Sequence, residues 1–241
     1  MERTVSEAIA YRRSVRIFKE DPIDTKRVRQ CLENARLAPT SSNMQLWEFV
    51  HVTSEDLLQR LAACCFDQNA AKTASQIVVV LSRRDLWKQR ADANIAFLEE
   101  QFSSKSGTSW KRREKFAMNY YRKLIPTLYT EFLGILGWVK YVFSTVTGLF
   151  RPIYREVRRS DMRIVAHKST ALAAENFMLS MAAIGYDTCP MEGFDSLRVK
   201  KALDLPGAAE ITMIIGCGIR DEKGVYGPRF RIPFNEVYRE L

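Results

Sequence analysis

The chain has 241 residues, 46% of them apolar and 27% charged, and its formal net charge is +9. That length buries a sizeable core as one large domain or two small ones, and the composition excludes a disordered chain. The positive excess favours anionic partners: nucleic acid, a membrane surface, or phosphorylated cofactors and substrates.

Near the start, YRRSVRIF sets Arg12, Arg13 and Arg16 around Ser14, a pattern that suits surface charge, a nucleic-acid contact or a phosphate site. Asp24 to Leu37 is a predicted helix, with Asp24 as N-cap and Val28, Cys31, Leu32 and Ala35 as one apolar stripe. The loop APTSSNMQLWEF, Ala38 to Phe49, follows and is dense in hydroxyl and amide groups. Glu48 to Val52 reads as a short strand, and Ser54 caps a helix through Cys64. QNAAK, with Asn69 and Lys72, precedes QIVVVLS from Gln76, an apolar run of strand length expected at the centre of a sheet. Leu86 to Gln101 is helical in pattern, Ser103 to Ser109 a polar loop, and Trp110 to Lys123 a basic stretch.

Leu124 to Phe150 reads LIPTLYTEFLGILGWVKYVFSTVTGLF. A spanning helix needs about 20 nearly uninterrupted apolar residues, and Glu131 and Lys140 interrupt this one. Leu128, Phe132, Ile135, Leu136, Val139, Phe143 and Val146 recur at helical spacing, the pattern of an amphipathic helix. A helix packed on its own body or on a partner is expected, with membrane-surface contact as the alternative.

A long helix is predicted from Asp161 to Ile184, with Ile164, Val165, Leu172, Phe177, Met178 and Met181 apolar and Gly185 as its stop. CPMEGFD follows, Cys189 to Asp195, and Asp195 caps a short helix ending before Pro206. EITMIIGC, Glu210 to Cys217, is a second buried strand. In GPRFRIP, Arg229 and Arg231 point to one face if the segment is extended; Arg229 to Leu241 predicts no defined element. The expected class is α+β, a small mixed sheet flanked by helices with a helical insertion near the middle.

Cys31, Cys64, Cys65, Cys189 and Cys217 are odd in number and lack C-x-x-C spacing, and only His51 and His167 accompany them. Neither a zinc site nor a disulfide framework is expected, and a reducing, cytoplasmic setting is. The segment MERTVSEAIAYRRS has no apolar core between its charges, so no secretory signal is read there. His51, His167 and the Cys64–Cys65 pair suit structural roles.

Taken together, five stretches resemble the nitroreductase family of FMN-dependent flavoproteins, over Ser6 to about Pro233. The family's opening R-R-S-x-R is matched by Arg12, Arg13, Ser14 and Arg16. Its A-P-S-x-x-N-x-Q-P-W is matched by Ala38 to Trp47, with Thr40 for the common serine and Leu46 for the usual proline. Its N-x-x-K is Asn69 to Lys72, its P-x-E-G-F-D is Pro190 to Asp195, and its late basic pair is Arg229 and Arg231 before Pro233.

The resemblance implies an intertwined homodimer of a single domain spanning 1–241, with a helical insertion at about 103–159, longer than the family minimum. It implies bound FMN, with NAD(P)H as a transient co-substrate that leaves before a small electron-poor acceptor enters. Arg12, Arg13, Ser14, Arg231 and Arg229 would hold the phosphate and ribityl chain, since guanidinium forks match phosphate oxygens. Asn69, Lys72 and Arg16 would meet the pyrimidine end. Pro39, Thr40, Ser41 and Asn43 would pack on the flavin of the other subunit, and Pro190, Met191, Glu192 and Gly193 would line its opposite side near N5. No side chain is assigned acid–base work. Two alternatives stay open: a same-fold flavoenzyme with a specialised task such as dehalogenation, flavin destruction or dehydrogenation, and a nucleic-acid-binding protein using KRREK, Lys111 to Lys115, although no nucleic-acid motif is present.

Overall fold

Four strands form one sheet in the order β1-β2-β4-β3: β1 (Trp47–Val52), β2 (Gln76–Ser82), β3 (Asp187–Met191) and β4 (Glu210–Gly218). The computed structural model describes residues 2–103, 111–132 and 134–241. All three strand ladders are antiparallel. The mixed character expected of the sheet is confined to a single parallel bridge, Ser14 to Thr188, outside the named strands.

Every residue of β2 is buried, because both faces of the sheet are covered. On one face Ile77, Val79 and Leu81 meet Leu61, Cys65 and Ala70 from α3 (Glu55–Cys64), its following turn and α4 (Asn69–Lys72). On the other, Val78 and Val80 meet Val28 and Cys31 of α2 (Thr25–Ala35) and Ala174, Phe177 and Met181 of α9 (Arg159–Ala183). Strand alternation divides one apolar run between two cores, each buried large side chain contributing about 1.5–3 kcal/mol. The Asp24 carboxylate accepts from the Lys26 N–H as expected of a cap. Past α9, Gly185 adopts φ +88°, and the Gly185 and Tyr186 N–H groups donate to Ala182 and Met181, closing the helix in a Schellman arrangement.

Three features depart from the sequence expectation. A helix α1 (Val5–Tyr11) opens the chain, started by a reciprocal Thr4–Glu7 capping box; only Ala8 of it is buried, so no apolar stripe announced it. DTCPM is the edge strand β3, for which no element was expected, and an edge tolerates Pro190 because its missing N–H faces away from the ladder. The helix expected to run on from Leu128 is broken. The insertion carries α5 (Trp87–Ser103) into α6 (Arg112–Asn119), a wide turn at Tyr120–Leu124, α7 (Ile125–Tyr129) and α8 (Ile135–Thr147). Most of the predicted loop Ser103 to Ser109, and Trp110, lie outside the described residues. In α8 the apolar stripe is not covered by its own body: Ile135, Leu136, Val139, Phe143 and Val146 are exposed, as is Phe132 before it. Among the described residues no helix is long and apolar enough to cross a membrane. Two short helices complete the chain, α10 (Ser196–Ala202), capped by Asp195 as expected, and α11 (Phe234–Val237) in the tail where no element was predicted.

Candidate functional site

The two ends of the chain meet beside β3. Arg12 follows α1 directly, its N–H bonded to the Ala8 carbonyl at 2.9 Å. Ser14 then bridges to Thr188, and Val15, fully buried, donates to the Thr188 carbonyl at 3.1 Å. The Arg16 N–H donates to the Gly224 carbonyl at 2.6 Å. A Cβ at Gly224 would run into the Ile17 carbonyl, so this close approach of two backbones requires glycine.

Between these segments lies a cavity of about 340 Å³, lined by Arg12, Arg13, Ser14, Arg16, Arg229 and Arg231 together with Tyr226 and the Gly227–Pro228 turn. Arg13 closes it by donating from Nη2 to the Gly227 carbonyl at 2.6 Å. Arg229 donates to the Ala10 carbonyl at 3.0 Å and to that of Arg12, at the end of α1 where helix carbonyls are otherwise unpaired. Arg231 bonds its own neighbour, the Phe230 carbonyl, at 2.7 Å.

Five guanidinium groups line this cavity and no carboxylate does. The nearest acid to bond any of them is Glu175, 3.8 Å from Arg12 Nε on the flank. Desolvation, and then the charges of Arg13, Arg231 and Arg12, pull Arg229 below the ordinary guanidinium range. Crowded like charges of this kind are relieved by an anion. The cavity therefore fits a phosphate-bearing group by the chemistry of its donors.

A buried ion pair positions the clamp from below. Asp187 of β3 is 3% exposed and takes Arg220 Nε at 2.9 Å and Nη2 at 2.5 Å. Arg220 also reaches the Tyr11 carbonyl at 3.2 Å, and its guanidinium lies 4.1 Å from the centroid of the Tyr11 ring. Arg3 lies 3.7 Å from the same centroid. The last turn of α1 is thus tied to β3 and to the chain leaving β4, which fixes where Arg12 and Arg13 start.

Asn69 is linked to the clamp through Tyr226, donating from Nδ2 to the Tyr226 hydroxyl at 3.2 Å. Lys72, three residues on in α4, is exposed and makes no side-chain bond among the described residues. Pro190 and Met191 end β3, and Glu192 and Gly193 follow in an exposed turn. Gln68 Nε2 holds that turn, donating to the Gly193 carbonyl at 2.7 Å and the Cys65 carbonyl at 3.0 Å.

Pro39, Thr40 and Ser41 line a different cavity of about 360 Å³, together with Tyr154, Lys168 and Leu172. It shares no lining residue with the clamp. Asn43 turns away from it: its Nδ2 donates to Asn94 Oδ1 at 2.8 Å, and Asn94 Nδ2 returns a bond to the Asn43 carbonyl at 3.1 Å. Ser42, Asn43 and Gln45 all have positive φ, 54°, 50° and 49°. Left-handed non-glycine residues cost about 1–3 kcal/mol each and persist only where their surroundings dictate them. Here the insertion does so: the Ser42 and Tyr120 hydroxyls are 2.5 Å apart, and the Tyr121 hydroxyl donates to the Ser42 carbonyl at 2.9 Å.

Sequence reasoning thus named the arginines that come together, and missed Tyr226, Asp187, Arg220, Gln68, Tyr120 and Tyr121. A lone tyrosine in a loop carries no periodic signal, although Tyr226 stands only three residues before Arg229. Both histidines are engaged elsewhere. His51 meets Gln76 Oε1 at 2.7 Å, and His167 meets Thr212 at 2.9 Å and Glu210 at 3.2 Å. Burial, with a smaller contribution from Cys64, pushes the Cys65 thiol up to about 12, and burial also raises Cys64, the opposite of an activated nucleophile. A larger cavity, about 780 Å³, opens at the root of the insertion, but its charges are internally matched, Arg84 and Arg163 both pairing with Glu210.

The nitroreductase family model matches residues 9–219. Among curated proteins, MhqN of Bacillus subtilis, named as a candidate NAD(P)H nitroreductase, is 27% identical over 218 residues, covering 89% of this chain and 87% of its own. The crystal structure of ydfN from Bacillus subtilis, titled a candidate nitroreductase, superposes with a TM-score of 0.74 at 24% identity over 98% of both chains. A second crystal structure, a candidate nitroreductase of Exiguobacterium sibiricum in complex with FMN, has a TM-score of 0.67 at 22% identity over the full length of both.

Proposed function

This chain belongs to the nitroreductase family, and from that premise we propose that it is an FMN-dependent oxidoreductase passing hydride equivalents from NAD(P)H to a small electron-poor acceptor, nitroaromatic or quinone-like. The FMN of the Exiguobacterium relative supports the choice of flavin. The observation that carries the reading is the carboxylate-free cavity into which Arg12, Arg13, Arg16, Arg229 and Arg231 converge.

Bound FMN supplies a two-electron carrier that nicotinamide reduces and an acceptor reoxidises, so that the two co-substrates visit in turn. In this reading Arg12, Arg13, Ser14, Arg229 and Arg231 grip the phosphate and ribityl chain. Tyr226 sets Asn69 toward the pyrimidine end. Lys72, with its ammonium unengaged among the described residues, would stabilise negative charge gathering there, and Arg16 would assist. Pro190, Met191, Glu192 and Gly193 present backbone near the reactive nitrogen, with Gln68 fixing the turn.

Pro39, Thr40, Ser41 and Asn43 cover the flavin of a second subunit. For Pro39, Thr40 and Ser41 that division is supported by their separate cavity, and the tail supports it too. Phe230, Phe234, Val237 and Tyr238 are all exposed, as suits an arm laid on a partner.

The test is the visible spectrum of purified protein titrated anaerobically with NADH and with NADPH, then with a panel of nitroaromatics and quinones. Bleaching of bound flavin by one nicotinamide and recovery with an acceptor are expected. A colourless protein that takes up no FMN on reconstitution sinks the reading.

A further inference from the structure

The helix α8 has its two faces reversed. Ile135, Trp138, Val139, Val142, Phe143 and Val146 recur at i, i+3, i+4, i+7, i+8 and i+11, and all six are exposed, Trp138 by 67% and Phe143 by 65%. That spacing is one continuous helix face. No polar residue interrupts it, and the chain leaves the helix through Leu149 and Phe150, both exposed.

The opposite stripe is small or polar and turns inward. Gly137 and Ser144 are the buried residues of α8. A Cβ at Gly137 would lie 2.7 Å from Glu131 Oε1 and 3.2 Å from the Arg159 nitrogen, so the helix sits close on its own insertion. Lys140 lies on this inner side, its ammonium donating to the Thr130 carbonyl at 2.7 Å and pairing with Glu131 at 3.5 Å. The one charge of α8 is thereby kept off the apolar face. At its far end Arg155 donates to the Gly148 carbonyl at 2.8 Å.

Charge along this part of the chain is strongly positive. Between Lys111 and Arg159 eleven lysines and arginines accompany three carboxylates, an excess of eight out of nine positive charges for the whole chain. Arg112, Arg113 and Lys115 of α6 are exposed, as are Arg151, Arg155 and Arg158 following α8.

We propose that α8 docks the protein on an anionic lipid surface, lying in the plane of the interface with its apolar face in the acyl boundary and the arginines that follow it, Arg151, Arg155 and Arg158, among the headgroups. The fit is of three kinds. An uncharged helix face bordered by cations is the composition of interfacial helices. Trp138 and Tyr141 are the side chains favoured at the headgroup level. At 13 residues α8 is about 20 Å long, short of the roughly 30 Å needed to span, so it lies on the bilayer and does not cross it. A second copy is the weaker occupant, because the cations beside the face, Arg155 on the Gly148 carbonyl and Arg158 over the Tyr141 ring, would meet their own copies across it. The inference does not depend on the flavin reading.

The test is flotation of the full-length protein with vesicles of phosphatidylcholine alone and of phosphatidylcholine with about 30 mol% phosphatidylglycerol, at low salt and at about 0.5 M salt. The companion variant is Trp138→Glu with Phe143→Glu, and its mass and that of the wild type are measured by light scattering without vesicles. Wild type should float with the anionic vesicles at least about tenfold more than with the zwitterionic ones, less so at high salt, and the double variant should lose about tenfold at unchanged mass. Wild type that fails to float with anionic vesicles overturns the proposal, whether or not the variant folds. So does a double variant that floats as wild type does, and so does one whose mass falls to half, which would assign the face to a second copy.

Discussion

Arg13 Nη2 donates to the Gly227 carbonyl at 2.6 Å across 214 residues of sequence. That bond joins the Arg12–Arg16 stretch to the turn that leads into Arg229 and Arg231. It turns two stretches of surface-like charge into the walls of one cavity.

Removing the clamp's cations should release FMN. Each charge-assisted contact contributes about 1.5–3 kcal/mol, and neighbouring arginines are not independent. Arg12→Ala combined with Arg231→Ala is therefore expected to weaken FMN retention by about 100-fold or more. Dialysis followed by the flavin absorbance of the retained protein checks this, and unchanged retention contradicts the phosphate assignment.

In the proposed reading Lys72 would act on electron affinity more than on binding. Lys72→Gln should lower the midpoint potential of bound flavin by about 30 mV or more, where 30 mV corresponds to about 1.4 kcal/mol for two electrons, and should slow reduction by nicotinamide. FMN affinity should change less. Spectroelectrochemistry of both proteins reads the shift, and equal potentials would remove Lys72 from the site.

The Asp187–Arg220 pair is a structural prop with a functional consequence. Asp187→Ala leaves the Arg220 guanidinium without its acid beside Tyr11. Breaking a buried pair costs about 3–5 kcal/mol, and partial exposure of Arg220 reduces this to about 2–4. Urea unfolding should show the loss, and FMN retention should fall with it. A variant as stable as wild type would mean that the pair does not hold α1 in place.

His51 predicts a pH dependence of stability. Gln76 Nε2 donates to the Ile23 carbonyl and to Thr25, so its Oε1 accepts and His51 Nε2 donates. Desolvation, opposed in part by the Gln76 bond, holds the His51 pKa below its ordinary 6.5. The unfolded chain then binds more protons as pH falls through 6.5, so the folded state loses stability on that side. Melting followed between pH 7.5 and about 5.5 should fall toward the acid end, and the slope should flatten in His51→Gln. An identical slope in the variant would assign the dependence to other groups.

The parts of this fold that were legible in the sequence are those with periodic apolar residues. β2, β4, α2 and α9 each bury a stripe or a run, and Asp24, Asp195 and Gly185 mark ends by side-chain or backbone chemistry that acts locally. The edge strand β3 was not legible, because Asp187 is drawn there by Arg220 and Pro190 is tolerated only by the edge, and both are tertiary facts. α1 was hidden because it buries one alanine. α8 was legible as an amphipathic helix but not in its direction: period 3.6 locates an apolar face and does not say whether its own body, a partner or a surface covers it. The clamp arginines were named by their motifs, yet Tyr226 and the Tyr120–Tyr121 support of Ser42 arise from contacts across about 80 to 157 residues, beyond any local pattern.

The central claim is that the arginines of the two chain ends read a phosphate. It is tested most directly by titrating flavin-free protein with FMN and, separately, with riboflavin, which differs only in lacking that phosphate. FMN should bind at least about 100-fold more tightly, with the preference collapsing toward unity in Arg12→Ala with Arg231→Ala. Equal affinity for the two flavins in the wild type would contradict the account.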